Sequence, residues 1–221
     1  MNKTMTSIFA LAVAFGTAIA AHAEVKGDVK AGEGKIAMCI GCHGIVDYKA
    51  SFPEVYKVPK IAGQGAGYIE SALHAYAKGE RRFPTMHAVA VALSEQDIAD
   101  ISAYYAQLGQ AGATALPEKP AREPSIEVAA LLQKGGCVAC HGSNFAKPID
   151  PSYPQLAGQN ADYLFVALKA YKAGVTPYVG RANPIMGGVA KQFTNDELKS
   201  LAGYIGSLDG NVKTVAESRF R

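Results

Sequence analysis

Two five-residue motifs place a pair of cysteines directly before a histidine. Residues 39–43 read Cys-Ile-Gly-Cys-His and residues 137–141 read Cys-Val-Ala-Cys-His. In such a motif the thiols can form thioether bonds to the vinyl groups of a haem, and the histidine places an imidazole beneath the iron. The sequence therefore predicts two covalently attached haem c groups. The attaching residues would be Cys39, Cys42, Cys137 and Cys140, and the proximal iron ligands His43 and His141.

Other chemistries of paired cysteines fit the sequence less well. Four cysteines in an exported protein would ordinarily form two disulfides, but all four belong to the two motifs. A thioredoxin-like dithiol needs no adjoining histidine. A zinc site would have to draw its four cysteines from both motifs, which does not explain why their surroundings also repeat. Haem attachment is the interpretation that we adopt.

Two methionines are the candidates for the second axial ligand of each iron. Met86 and Met186 each lie two residues after a proline, at matching places in what we predict to be loops. Thioether sulfur favours ferrous iron, so His/Met ligation raises the reduction potential and leaves no open position for a substrate. His74 and His87 offer a bis-histidine alternative for the first haem. Neither has a counterpart in the second half of the chain, and we treat both as surface or loop residues.

The surroundings of the two motifs repeat in the same order. Residues 59–64 read Pro-Lys-Ile-Ala-Gly-Gln and residues 154–159 read Pro-Gln-Leu-Ala-Gly-Gln, and matching tyrosines, leucines and a Pro-x-Met segment follow each. This internal duplication predicts two similar domains. Their predicted bounds are residues 24–108 and 126–221, with residues 109–125 as a semi-rigid linker rich in Gly, Ala and Pro.

Helical periodicity predicts an all-α fold. Apolar residues recur at three- and four-residue steps in residues 98–108 and 198–208. Ser94 with Asp97 and Thr194 with Glu197 have the spacing of helix N-caps. Further helices are predicted over residues 30–38, 66–78, 126–134 and 161–173, with Gly79 and Gly174 ending two of them.

The first 23 residues predict export. Lys3 precedes an apolar stretch of about 14 residues, shorter than the roughly 20 that span a bilayer, and residues 21–23 read Ala-His-Ala. We therefore predict a signal peptide cleaved after Ala23 and a periplasmic protein. Losing Lys3 leaves 21 basic against 19 acidic residues, a net charge of +2, which is no signature of nucleic-acid binding.

Two Cys-x-x-Cys-His units, each with a Pro-(Lys/Gln)-(Ile/Leu)-Ala-Gly-Gln stretch and a Pro-x-Met segment, resemble the cytochrome c4 family. The resemblance covers nearly the whole mature chain. It implies two tandem class I cytochrome c domains related by a pseudo-twofold axis, with the haems close together near the interface. It also implies the axial pairs His43 with Met86 and His141 with Met186. The family's usual Pro-Met-Met is Pro-Thr-Met and Pro-Ile-Met here.

The resemblance further implies an electron shuttle between a quinol-oxidising cytochrome bc complex and a terminal oxidase or other reductase. We expect an electron carrier and not an enzyme. We also expect a monomer, and peripheral membrane association stays open. A di-haem peroxidase or a thiosulfate-oxidising cytochrome would need an open coordination site or an additional cysteine. A third interpretation makes the chain the electron-accepting subunit of a larger dehydrogenase.

Several weaker candidates surround the motifs. Arginines just ahead of the methionines could pair with haem propionates, tyrosines could pack on haem edges, and prolines could wall the proximal side. These residues are Arg81, Arg82 and Arg181; Tyr68, Tyr76, Tyr163 and Tyr171; and Pro59 and Pro154.

Overall fold

A computed structural model describes residues 25–216, so the predicted signal peptide lies outside the described residues. Within this part of the chain the two halves repeat one order of helices. The N-terminal half contains α1 (Val29–Glu33), α2 (Ala37–His43), α3 (Ala66–Ala77), α4 (Pro84–Ala90) and α5 (Glu95–Leu108). The C-terminal half contains α6 (Ile126–Gly135), α7 (Cys137–His141), α8 (Ala161–Ala173), α9 (Pro184–Ala190) and α10 (Asn195–Gly206). Over residues 25–216, no helix has the length and apolar character needed to cross a membrane.

The last helix of each half begins where its sequence predicts. The Ser94 hydroxyl accepts the backbone N–H of Asp97, whose carboxylate accepts the backbone N–H of Ser94. Thr194 and Glu197 make the same reciprocal pair at the start of α10. Each box satisfies two backbone donors that the first helical turn leaves without partners.

The predicted Pro-x-Met loops are wrong, because both segments begin short helices. Pro84 and Pro184 occupy the first turns of α4 and α9. A proline there loses no helical hydrogen bond and has its φ already set for the helix. The Asn183 side chain also caps α9 by accepting the N–H of Met186 at 2.9 Å. The predicted helix over residues 30–38 is likewise divided between α1 and α2.

Four two-residue strands add to the mostly helical fold. They are β1 (Lys49–Ala50), β2 (Tyr56–Lys57), β3 (Arg81–Arg82) and β4 (Gly180–Arg181). β1 and β2 form a hairpin in the N-terminal half, whereas β3 and β4 pair antiparallel across the two halves. Strands this short leave no alternating pattern that a sequence could reveal.

Each half has an apolar core of its own. In the N-terminal half, Ile69 and Leu73 of α3 pack with Ile98 and Ile101 of α5. The C-terminal core is built around Phe145 and around α8 and α10; its buried members include Leu164, Leu198, Leu201 and Ile205. The predicted linker lies on the C-terminal half, where the Asn144 side chain donates to the Pro117 carbonyl at 2.7 Å.

A reciprocal pair of buried glutamines joins the halves. The Gln64 amide donates to the Gln155 carbonyl and accepts the Gln155 N–H, both at 2.9 Å. The Gln159 amide makes the same two bonds to Lys60, again at 2.9 Å. Gln64 and Gln159 hold corresponding places in the repeated stretch, so the two arrangements are related by the pseudo-twofold axis that also relates β3 to β4.

Candidate haem sites

A cavity of about 400 Å³ gathers the chemistry-bearing residues of the first repeat. Residues from α2 and α4 meet there: Cys39, Cys42, His43 and Met86 all line it. Apolar side chains such as Leu73 and Ile101 form further walls, and His74 and His87 are not among the lining residues. The size falls within the roughly 300–1,000 Å³ of small-molecule and cofactor sites.

Both motif histidines are oriented by a backbone carbonyl. The Nδ1 atom of His43 lies 2.8 Å from the Pro59 carbonyl oxygen, and that of His141 lies 3.3 Å from the Pro154 carbonyl oxygen. Since a carbonyl can only accept, each Nδ1 carries the proton and each Nε2 has a free lone pair. Burial lowers the pKa of both histidines, only partly offset by the carbonyl contacts. The neutral imidazole is the form that ligates metal.

The motif cysteines do not have the environment of a redox dithiol. Burial raises the pKa of Cys39 to about 11, against a smaller opposing effect of the Tyr105 hydroxyl. Burial also raises the pKa of Cys137. Reactive dithiols depend on a lowered thiol pKa. Nor is any of the four cysteines, all within the described residues, joined in a disulfide.

The two methionines occupy matching positions in the folded halves. Met86 packs against the N-terminal core, and α4 lies against α3. Met186 is half-buried on α9, which lies against α8. The rival histidines have other partners: His87 Nδ1 lies 2.8 Å from the Tyr76 carbonyl oxygen, and His74 Nε2 lies 3.3 Å from the Glu95 carboxylate.

A cluster of arginines and tyrosines lies where the halves meet. Arg81 and Arg181 face each other across β3 and β4. Arg81 contacts the Tyr68 hydroxyl at 3.3 Å and Arg181 the Tyr163 hydroxyl at 3.0 Å. The Tyr171 hydroxyl lies 3.5 Å from both guanidinium groups. Arg82, by contrast, lies outside this cluster and donates to the exposed Pro177 carbonyl at 3.2 Å.

Neither Arg81 nor Arg181 has a carboxylate partner within residues 25–216. Arg181 is only 8% exposed, and Arg81 lines the cavity. A buried cation is costly unless an anion or several hydrogen-bond acceptors compensate it. Haem c carries two carboxylates, which these arginines could pair with. The cysteines, the neutral His43 and the apolar walls of the cavity also fit haem c.

Sequence reasoning missed what Gln64 and Gln159 do. Both were visible as the last residue of a repeated stretch, but their role depends on backbone partners in the other half of the chain. The repetition of a polar residue within an otherwise apolar stretch was the available signal. A second omission is the buried carboxylate of Asp100, which bonds the Lys35 ammonium at 2.7 Å.

Comparisons with known proteins agree with this geometry. The family model for cytochrome c matches residues 29–109 and again residues 126–209. Cytochrome c4 of Pseudomonas aeruginosa is 31% identical over 210 residues, which cover 94% of this chain and all of that protein. A thiosulfate dehydrogenase electron acceptor of Stutzerimonas stutzeri is 30% identical over 178 residues, covering 77% of this chain and 78% of that protein.

A solved structure extends the similarity to the fold. Reduced recombinant cytochrome c4 from Pseudomonas stutzeri superposes with a TM-score of 0.58 at 28% identity, covering 83% of this chain and all of that one. The duplicated fold with a cysteine-and-histidine motif in each half is that of a di-haem c-type cytochrome. The chain belongs to the cytochrome c family and, within it, to the cytochromes c4. Its cofactors are two covalently attached haem c groups, and it takes part in electron transfer.

Proposed function

We propose that the chain is a periplasmic electron shuttle with two closed His/Met haem sites. The observation that carries the proposal is the cavity in which Cys39, Cys42, His43 and Met86 meet. By the internal repeat, the second site consists of Cys137, Cys140, His141 and Met186. The signal-like first 23 residues support export, with cleavage after Ala23.

The protein's own residues have separable tasks in these sites. The cysteines would anchor the haem covalently, and the histidine Nε2 atoms and the methionine sulfurs would ligate its iron. When bound, haem c supplies an iron that alternates between the ferrous and ferric states. The Pro59 and Pro154 carbonyls hold the histidines in one tautomer and orientation. Closing the sixth position favours electron transfer over turnover of a small-molecule substrate.

Arg81 and Arg181 are the residues suited to haem propionates. Both are cationic, and Tyr68, Tyr163 and Tyr171 hold them in place. Guanidinium groups bind carboxylates through geometrically fixed, charge-assisted hydrogen bonds. Two such groups facing each other across β3 and β4 would place the propionate ends of both haems near the interface.

The family resemblance and one relative each support a different set of redox partners. The resemblance to cytochrome c4 implies that the donor would be a quinol-oxidising cytochrome bc complex and the acceptor a terminal oxidase or other reductase. The similarity to a thiosulfate dehydrogenase electron acceptor supports a second candidate, in which the chain accepts electrons from a dehydrogenase. Rapid reduction of the oxidised protein by one purified donor and not the other distinguishes these candidates.

Replacing each methionine tests the ligand assignment. In Met86→Ala and Met186→Ala, one haem should lose its methionine-to-iron charge-transfer band, and its potential should fall by more than about 59 mV, a tenfold change in the one-electron equilibrium. Spectroelectrochemistry of the holoprotein measures both effects. His87→Ala is the matched control and should leave both bands in place. A Met86→Ala protein with an unchanged band and potential would overturn the assignment of Met86.

A further inference from the structure

After α10 the chain crosses from the C-terminal half to the N-terminal half. We call residues 211–215 the C-terminal strap. Within it, the backbone N–H of Lys213 donates to the Ala62 carbonyl at 2.9 Å, and the two residues form an antiparallel bridge. Val212 is buried, and Val215 packs against the N-terminal core. The strap is therefore part of the packing of the half to which it does not belong in sequence.

The strap lies on the segment that orients His43. Ala62 is three residues after Pro59, whose carbonyl accepts the His43 Nδ1 proton. At Gly63, where φ is +82°, an added Cβ would lie 2.5 Å from the Asn211 carbonyl oxygen, so only glycine allows so close an approach. The Gln159 side chain holds the same segment at Lys60. The C-terminal half thus holds residues 59–64 at Lys60, Ala62, Gly63 and Gln64, and the Gly63 N–H donates to the Tyr105 carbonyl of its own half at 2.9 Å.

The corresponding segment of the second repeat also has a same-half anchor, but within residues 25–216 the strap bridge lies only at Ala62 of the first repeat. The Phe145 carbonyl accepts the N–H groups of Leu156 and Ala157 at 2.7 and 3.0 Å, so an anchor comes from the same half. The carbonyl contact of His141 with Pro154 is 3.3 Å, compared with 2.8 Å for His43 with Pro59. The shorter contact occurs in the repeat whose orienting segment carries the strap.

We infer that the C-terminal strap is a positioning element for His43 and, through it, sets the reduction potential of the first haem. The inference rests on the proposed ligation by His43. A firm Nδ1–H···O bond makes the imidazole a more basic ligand, which stabilises ferric iron. Releasing residues 59–64 from the strap weakens that bond and makes the first haem easier to reduce. The second haem has no such dependence.

A proline in the strap tests this inference in the holoprotein. Lys213→Pro removes the backbone donor to Ala62, and Lys213→Ala is the control because it keeps that donor and removes only the ammonium contact with the Ala111 carbonyl. We expect Lys213→Pro to shift the first haem toward the reduced form at least threefold, or about 28 mV at 59 mV per tenfold change. The second potential should not change. By NMR, the His43 Nδ1 proton should exchange with solvent faster.

A second variant keeps the test decisive if Lys213→Pro does not fold. Val215→Ser leaves the backbone bond but weakens the apolar attachment of the strap, so it should shift the first potential in the same direction by less. Equal shifts in both haems would overturn the inference, as would a folded variant with unchanged potential and unchanged exchange. Failure of the proposed ligation would be seen separately: without methionine ligation the unsubstituted protein would lack the methionine band, and without His43 ligation a His43→Ala variant would keep the spectrum of the first haem.

Discussion

The two halves share their chemistry but not their anchoring. Both use a carbonyl to orient the motif histidine and a glutamine to reach the other half. Each half fixes its orienting segment partly from within, through the Phe145 carbonyl in the C-terminal half and through the Tyr105 carbonyl in the N-terminal half, but the N-terminal segment also carries the strap. Duplication has kept the elements that touch the cofactor and allowed their supports to diverge.

The two halves also differ in the charged residues that hold their last helices. The N-terminal half has a buried carboxylate, Asp100, bonded to the Lys35 ammonium and to the backbone N–H of Asp28, both at 2.7 Å. The corresponding position on α10 is Ser200, whose hydroxyl donates only to the Asp196 carbonyl. The Lys35–Asp100 pair therefore ties the turn after α1 to α5 through a buried carboxylate, whereas the Lys134–Glu197 pair between α6 and α10 is longer, at 3.7 Å, and more exposed.

Removing one pair of haem-attaching cysteines should break this comparison most severely. Residues of both halves line the cavity of about 400 Å³, and leaving it without haem would cost several kcal/mol, a large part of the about 5–15 kcal/mol that stabilises a typical domain. We expect Cys39→Ala/Cys42→Ala to unfold the N-terminal half and leave the other half folded with its haem. Cys137→Ala/Cys140→Ala should disturb both halves. Helicity by circular dichroism and haem content per chain measure the outcome.

Equal losses of helicity in the two double variants would show that the halves support each other symmetrically. Native helicity in either variant would show that the polypeptide folds without the corresponding haem. Each result contradicts a different part of the comparison, the first the dependence of one half on the other and the second the structural role of the cofactor.

Replacing the interface glutamines should have a smaller effect. Gln159→Leu leaves the N–H and carbonyl of Lys60 without their partners, and Gln64→Leu does the same at Gln155. Each orphaned group costs about 1–3 kcal/mol when buried, so two of them at a half-buried residue set an upper bound of roughly 6 kcal/mol for each variant. Gln159→Leu should loosen the first haem site more, because the Phe145 carbonyl still anchors the second.

Denaturant unfolding followed by haem absorbance measures the stability loss, and the two potentials show which site has loosened. Gln192→Leu is the control, since Gln192 is exposed and makes only a 3.4 Å contact with the Gly188 carbonyl. Identical effects of Gln64→Leu and Gln159→Leu on the two haems would remove the asymmetry that the backbone contacts indicate.

Local sequence signals predicted the helices better than the contacts between distant segments that hold the helices and the site in place. The caps at Ser94 and Thr194 involve residues three positions apart, so the sequence contains both partners within one turn. α8 was predicted from Ala161 to Ala173 and has those bounds. The Pro-x-Met segments were predicted as loops that follow the second helix of each half, although a proline at the first helical position favours a helix.

The candidate haem sites were only partly accessible from the sequence. The motif residues and Met86 could be chosen by spacing and repetition, and the structure brings Cys39, Cys42, His43 and Met86 to one cavity. The strap and the Gln159 contacts could not be predicted, because their partners lie far away in the chain and no periodicity connects them. Buried arginines look like surface residues until the pairing of β3 with β4 is known.

Neutralising Asp100 should have the smallest effect and should be confined to the N-terminal half. The hydrogen bond from Lys35, together with the Asp28 N–H, holds the pKa of Asp100 below its usual range. The stabilisation is therefore present above the unfolded-state pKa of about 4 and is lost as the pH falls through the lower folded-state pKa.

At pH 7, Asp100→Asn should lower the unfolding midpoint by on the order of 5 °C. The difference from the unsubstituted protein should shrink below about pH 4, and the control Ser200→Asn should show no such pH dependence. Thermal unfolding between pH 3 and 7 provides the measurement, and a difference that persists undiminished at pH 3 would mean that the ionised pair does not stabilise this half.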